Sequence, residues 1–271
     1  MKGFGGLSFS TSSFMTTTKV VLLALVALAL VPSEARAFAP GESFTDVYLR
    51  DDKSLNAFGR DVRKNGGVFP GNIVIGKDVT SLSGLQGLKE VGGYLGIGYQ
   101  VGSTFLDGNT HLLSLDGLDD LVDVGGYLWV FNLTHLESLH GLDGLEHIGG
   151  NLDVDFNEHL QTLDGLEHLE SVGGLSIFDN INLPSLSGLD SLSSVQRSVW
   201  ISDNVNLESL TGLDSLSFVG DDINIYNENL LSYAALEGLA DFHGKIGIYD
   251  KEDDITIFSP EEFSMTLDSL N

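Results

Sequence analysis

The chain has 271 residues, 42% of them hydrophobic, with five prolines and a formal charge of −26 from 13 basic and 39 acidic residues. So acidic a balance excludes nucleic acid as a partner, because phosphate binding needs clustered Lys and Arg. With no cysteine, disulfides, thiolate metal sites and Cys nucleophiles are excluded too, and any folded domain is held by packing alone.

In chain order the first feature is a targeting signal. Lys19 precedes the apolar run VVLLALVALALV, followed by Pro32 and the small-x-small triplet Ala35-Arg36-Ala37. That pattern predicts a signal peptide over 1–37 and a secreted or cell-wall protein. The run is too short for the ~20 residues of a membrane span, so no span is expected after cleavage. The junction Ala35-Arg36-Ala37-Phe38-Ala39-Pro40 also resembles the cleavage site of two-part plastid presequences in algae with secondary plastids. A transit peptide would then follow, basic and poor in acids, whereas Glu42, Asp46, Asp51 and Asp52 follow here; secretion is the primary expectation and a plastid the alternative.

Residues 38–70 are expected to form an N-terminal cap. Leu55, Phe58 and Val62 recur at helical spacing before Gly66-Gly67 ends the pattern. From about residue 71 the chain repeats itself. The Gly of an L-x-G-L motif recurs at 84, 117, 141, 165, 188, 212 and 238, at steps near 24 residues after a longer first step. Such a period marks a solenoid whose turns bury their apolar sides against one another. The unit reads L-x-x-L-x-G-L-x-x-L-x-x-V-G-G-x-L-x-I-x-x-N.

Within the unit, alternation predicts a short strand with two inward residues: Leu95/Ile97, Leu128/Val130, Leu152/Val154, Leu175/Ile177, Val199/Ile201, Ile223/Ile225 and Ile246/Ile248. Glycine pairs at 92–93, 125–126, 149–150 and 173–174 suit a corner with φ above zero. Asn157, Asn180 and Asn204 follow the second inward residue by three and are expected to form a ladder satisfying buried backbone groups. The first repeat interval carries an insertion between Gly98 and Gly108. Ser259-Pro260-Glu261-Glu262 opens a capping helix over 259–271. The expected fold is mainly β, a right-handed parallel β-solenoid over 71–258 with short helical caps.

The V-G-G-x-L-x-I segment and its flanking L-x-x-L-x-G-L resemble the leucine-rich receptor L domain, the β-solenoid of insulin- and EGF-receptor ectodomains and of microbial secreted proteins. The resemblance covers about 71–258 and implies a non-catalytic binding module. Cysteine-rich segments, a membrane span and a kinase, which the receptors carry, are missing from this chain, so a signalling role is not expected.

Outward strand positions carry the candidate site: Tyr94, Tyr127, Trp129, Phe131, Asp153, Asp155, Phe178, Trp200, Tyr226 and Tyr249. Rings supply area and the carboxylates hydrogen bonds, so the ligand class is a carbohydrate or a protein; the rings also suit plain cross-strand stacking. Two positions after the inward Ile, Asp179, Asp203, Asn227 and Asp250 form an acidic column, a candidate for Ca²⁺ or a solvated edge. His111, His135 and His159 repeat likewise, as a zinc candidate or as decoration copied with the repeat. Asn132-Leu133-Thr134 is an N-glycosylation sequon. No G-x-S-x-G or H-E-x-x-H appears, and Asp153 and Asp155 stand on a face with no evident cleft, so no catalysis and no required cofactor are expected.

Overall fold

A computed structural model describes residues 46–98, 108–249 and 255–258. The leader (1–37), the Phe38-Ala39-Pro40 junction, most of the insertion after Gly98, Asp250 and the helix expected from Ser259 lie outside the described residues.

The chain forms a parallel β-solenoid with about 24 residues per turn. Its strands are β1 (Asp46–Asp51), β2 (Val68–Phe69), β3 (Asn72–Asp78), β4 (Glu90–Val91), β5 (Leu95–Ile97), β6 (Asp123–Val124), β7 (Leu128–Phe131) and β8 (His147–Asp155). They continue as β9 (Ser171–Phe178), β10 (Ser194–Val195), β11 (Val199–Ser202), β12 (Phe218–Val219), β13 (Ile223–Tyr226), β14 (Asp241–Phe242), β15 (Ile246–Tyr249) and β16 (Ile255–Phe258). The main ladder runs β1-β3-β5-β7-β8-β9-β11-β13-β15-β16, parallel throughout until β16 turns back antiparallel on β15. A second parallel ladder joins the short strands around the Val of V-G-G, and β8 and β9 run unbroken through both.

Period-two alternation puts the expected pairs in register. Leu128, Leu152, Leu175, Val199, Ile223 and Ile246 stack as one inward column, and Val130, Val154, Ile177, Ile201, Ile225 and Ile248 as the next. The opposite wall is leucine. Leu136, Leu139, Leu142 and Leu145, with their equivalents at 160–169, 183–192 and 207–216, are all buried in the same core. Each such side chain contributes ~2 kcal/mol by leaving water, and no turn buries its own without a neighbour.

The glycines divide the work differently from the expectation. Five of the seven L-x-G-L glycines, Gly117, Gly141, Gly165, Gly188 and Gly212, hold the left-handed conformation with φ of 106 to 114°, whereas Gly84 and Gly238 do not. Each N–H there is taken by an acidic side chain two residues on, as with Gly141 to Asp143 Oδ2 at 2.7 Å and Gly165 to Glu167 Oε2 at 2.9 Å. The pairs at 92–93, 125–126, 149–150 and 173–174 do not have positive φ. They lie on one another's backbones across turns, so closely that a methyl on Gly149 would strike the Gly125 carbonyl and one on Gly126 the Gly93 carbonyl. Close approach, and not a left-handed corner, is what requires them.

At the N-terminal side the parallel sheet starts earlier than the repeat does. β1 pairs with β3 and turns Val47 and Leu49 inward, a strand the helical pattern of its neighbours concealed. Helix α1 (Asp52–Lys64) follows. Asp51 caps it by accepting from Ser54 N at 2.7 Å, while Ser54 Oγ accepts from Asp51 N. Leu55 and Val62 are buried, and Phe58 meets Phe69 edge-on at 5.0 Å.

Candidate functional site

Each outward residue is fixed by the strand register. The central row of the face reads Gly96, Trp129, Asp153, Ser176, Trp200, Asn224, Gly247 across β5 to β15. The row beyond it reads Phe131, Asp155, Phe178, Ser202, Tyr226, Tyr249. Trp129 and Trp200 are therefore three strand spacings apart, ~14 Å, with Asp153 and Ser176 between them.

The rings gather in three groups. Tyr94 and Tyr127 each lie 6.1 Å from Trp129, tilted by 37° and 28°. Trp200 stacks on Tyr226 at 5.3 Å and 22°, with its Nε1–H donated to Ser202 Oγ at 3.1 Å. Phe156 packs edge-on to Phe131 at 5.4 Å and to Phe178 at 4.9 Å. These rings are half-buried, except that Phe178 is only 7% exposed; it belongs to the wall of the site and not to its open surface. Tyr249 is in register with Tyr226.

Between the groups lies a polar centre. Trp129 donates its indole N–H to Asp153 Oδ2, and the Asn151 carboxamide donates to the same carboxylate. Arg197 Nη2 donates in turn to Asn151 Oδ1 at 2.6 Å. Burial nonetheless lifts Asp153 to about 7, against the pull of Trp129, Asn151 and the Arg197 guanidinium. Asp155 is flanked in register by Phe131 and Phe178; its side chain accepts from Ser176 Oγ at 3.3 Å. Burial, then the neighbouring Asp153 charge, hold it well above the ordinary carboxylate range. Burial also raises Tyr127, with Arg197 opposing and Asp153 assisting.

The acidic column has a backbone explanation. Asn132, Phe156, Asp179 and Asp203 occupy the same corner, all with φ between 49 and 60°, where Asp and Asn are the favoured non-glycine residues. Asp179 is raised by burial and by the nearby charges of Asp203 and Glu158. Asn227 does not belong to this column. It joins the asparagine ladder, its Oδ1 accepting from Asn204 N at 2.9 Å. Asn204 and Asn180 do the same for Asn180 N and Asn157 N, and each Nδ2 reaches a strand carbonyl of the preceding turn. Asn109 serves an earlier turn through Gly76 O and Val79 O.

Of the histidines, His135 and His159 stack at 5.9 Å and 8°, while His111 Nδ1 meets Thr110 Oγ1 at 3.2 Å. Among the described residues no three His, Asp or Glu side chains converge as a metal site, and no helix is long and apolar enough to cross a membrane. Asn132 is half-buried, and its carboxamide lies against Gly108.

Sequence reasoning did not single out Asn151, Phe156, Ser176 or Arg197. A signal existed for one of them. Where preceding turns carry Gly-Gly, this turn carries Gln196-Arg197, and bare Gly173 on the turn before leaves the space that the guanidinium fills. Comparisons with models of known protein families, with curated proteins and with solved structures found no match.

Proposed function

We propose that the chain is a non-catalytic recognition module, secreted after removal of its leader, that binds a glycan through the outward face of its main sheet. One observation carries this reading: two groups of near-parallel rings stand in register on either side of a carboxylate already oriented by an indole N–H and a carboxamide. Rings stack on the apolar faces of sugars while fixed carboxyl and amide groups hold their hydroxyls, and strand-borne side chains need little ordering on binding. The repeat's likeness to receptor L domains supports the same reading. Trp129→Ala and Trp200→Ala are expected to abolish retention on immobilised polysaccharide, with the far-UV circular dichroism unchanged. Retention by both variants overturns the glycan reading.

A second reading is favoured by the Phe131, Phe156 and Phe178 cluster at one edge of the face. Apolar rings packed edge-on to one another are what a permanent protein contact uses, as in a structural or assembly protein of the wall or of a complex plastid. It requires a stable oligomer or co-purifying protein, measured by light scattering on native extract. N-terminal sequencing of the mature protein separates the addresses: a start at Phe38 marks secretion, and a later start marks the plastid.

A further inference from the structure

The repeat is most regular inside and least regular at one place outside. At the central register position the other turns tolerate Gly96, Ser176, Asn224 and Gly247; none introduces a charge. Among the described strands only β8 places two carboxyls on the face, at Asp153 and Asp155. Four further departures surround them. Asn151 stands where the two preceding turns have Tyr94 and Tyr127. Arg197 stands where they have glycine. Phe156 holds φ of 60°, a conformation that costs a bulky residue ~1–2 kcal/mol and that sets its ring against Phe131 and Phe178. Small residues, Gly174 and Ser176, lie on the strand between the carboxyl pair and Trp200. Strain, two adjacent half-buried carboxyls and a break in the glycine pairing are thus concentrated within three neighbouring turns.

We propose that Asp153, Asp155, Asn151, Ser176 and Arg197 form a hydroxyl-binding subsite between Trp129 and Trp200 for a flat, neutral, β-linked hexose chain. This rests on the glycan reading above and names its ligand class and its centre. The net charge of −26 repels polyanionic chains such as uronates and sulfated glycans. Near-parallel rings on both flanks suit a chain with broad apolar faces and substituents at its rims. A chain crossing the strands meets Trp129, the carboxyl pair and Trp200 in sequence.

The subsite is also sensitive to protons. The titratable and charged groups around the pair are Tyr127 before β7, Arg197 before β11, and Asp179 after β9 with Glu158 and Asp203 beside it. A sugar laid over the pair removes its remaining water, which disfavours a second negative charge. In its neutral form Asp155 keeps a proton to donate to a hydroxyl. Affinity therefore falls as the pair becomes fully ionised with rising pH.

The test uses the full chain with cellohexaose as probe, followed by calorimetry from pH 5.5 to 8.5. Wild type is expected to lose affinity about tenfold across that range. Asp155→Asn, which keeps a donor and an acceptor without titrating, is expected to bind with a shallower profile than wild type, leaving only the titration of Asp153. The double variant Asp153→Ala/Asp155→Ala is expected to lose at least about tenfold at every pH, with a thermal melt reporting that it folds. A second readout is the Trp129 indole proton resonance, which titrates with Asp153 in the free protein and stops titrating in Asp153→Asn. Wild-type affinity in the double alanine variant, with loss in Trp200→Ala, overturns this subsite and leaves the glycan reading standing. A flat wild-type profile, or binding of alginate in place of cellohexaose, also overturns it. No binding of cellohexaose or of any other glycan at any pH overturns both.

Discussion

Two polar arrangements lie a few residues apart in this solenoid and are built on opposite principles. The asparagine ladder of Asn157, Asn180, Asn204 and Asn227 is 0–4% exposed and neutral, and each side chain both accepts a backbone N–H and donates to a carbonyl. The pair Asp153 and Asp155 is half-buried and titratable, two acids side by side whose burial outweighs the help of the Arg197 guanidinium held on Asn151. The fold has an inexpensive way to place polar groups at a turn and uses it repeatedly. Where it departs from that solution, on the outward face of β8, stability is given up for something other than the fold.

The contrast is broken most severely by attacking the ladder. Asn180→Leu strands the Asn157 N–H and the Val154 carbonyl in the core, at ~1–3 kcal/mol for each orphaned group. Urea denaturation is expected to show a loss of about 4 kcal/mol, or no folded protein.

The carboxyl pair is expected to behave in the opposite sense. Asp153 has a folded pKa raised from 3.8 to about 7, so its contribution is fully present below the unfolded value and is lost as pH rises through the folded one. Thermal and urea unfolding should show stability falling between pH 5 and pH 8 by about 3 kcal/mol from this group. Asp153→Asn should remove that slope and leave the variant more stable than wild type at pH 8. A wild type equally stable at both values would remove the distinction between the two arrangements.

The smallest effect sharpens the comparison. Asp179 is also raised by burial and by Asp203, but its corner conformation suits Asp and Asn alike. Asp179→Asn is expected to gain only about 0.5 kcal/mol at pH 7, measured by the same denaturation. A gain as large as that of Asp153→Asn would mean that any carboxyl on this surface costs the same.

Most of the interior was legible because its rules are periodic. The inward pairs from Leu95/Ile97 to Ile246/Ile248 needed only alternation, and three ladder asparagines followed from their common offset. The failures came where spacing or context shifts. Asn227 follows Ile225 by two residues, whereas Asn204 follows Ile201 by three, so a one-residue deletion disguised a ladder residue as part of the acidic column. The glycine pairs and the L-x-G-L glycines carry the same letter for different reasons, close approach against left-handed backbone, which composition cannot separate. β1 was hidden because one strand of six residues has no repeat to compare with. At the candidate site the ring positions and both aspartates were readable from the face they share. What links them was not: Arg197 reaches Asn151, beside Asp153 on the same strand, from two turns further on, and such a relay exists only after the coil is closed.

The regular spacing of the turns also has a consequence over evolutionary time. Because most turns are copies of a 23- or 24-residue unit supported by their neighbours, duplication or loss of a unit within the gene changes the length of the outer face in steps of ~4.8 Å without redesigning the remainder. The reach of the surface is in that sense a heritable dial, turned by copy number, while the turn bearing Asp153 and Asp155 marks the point from which such a dial would be read.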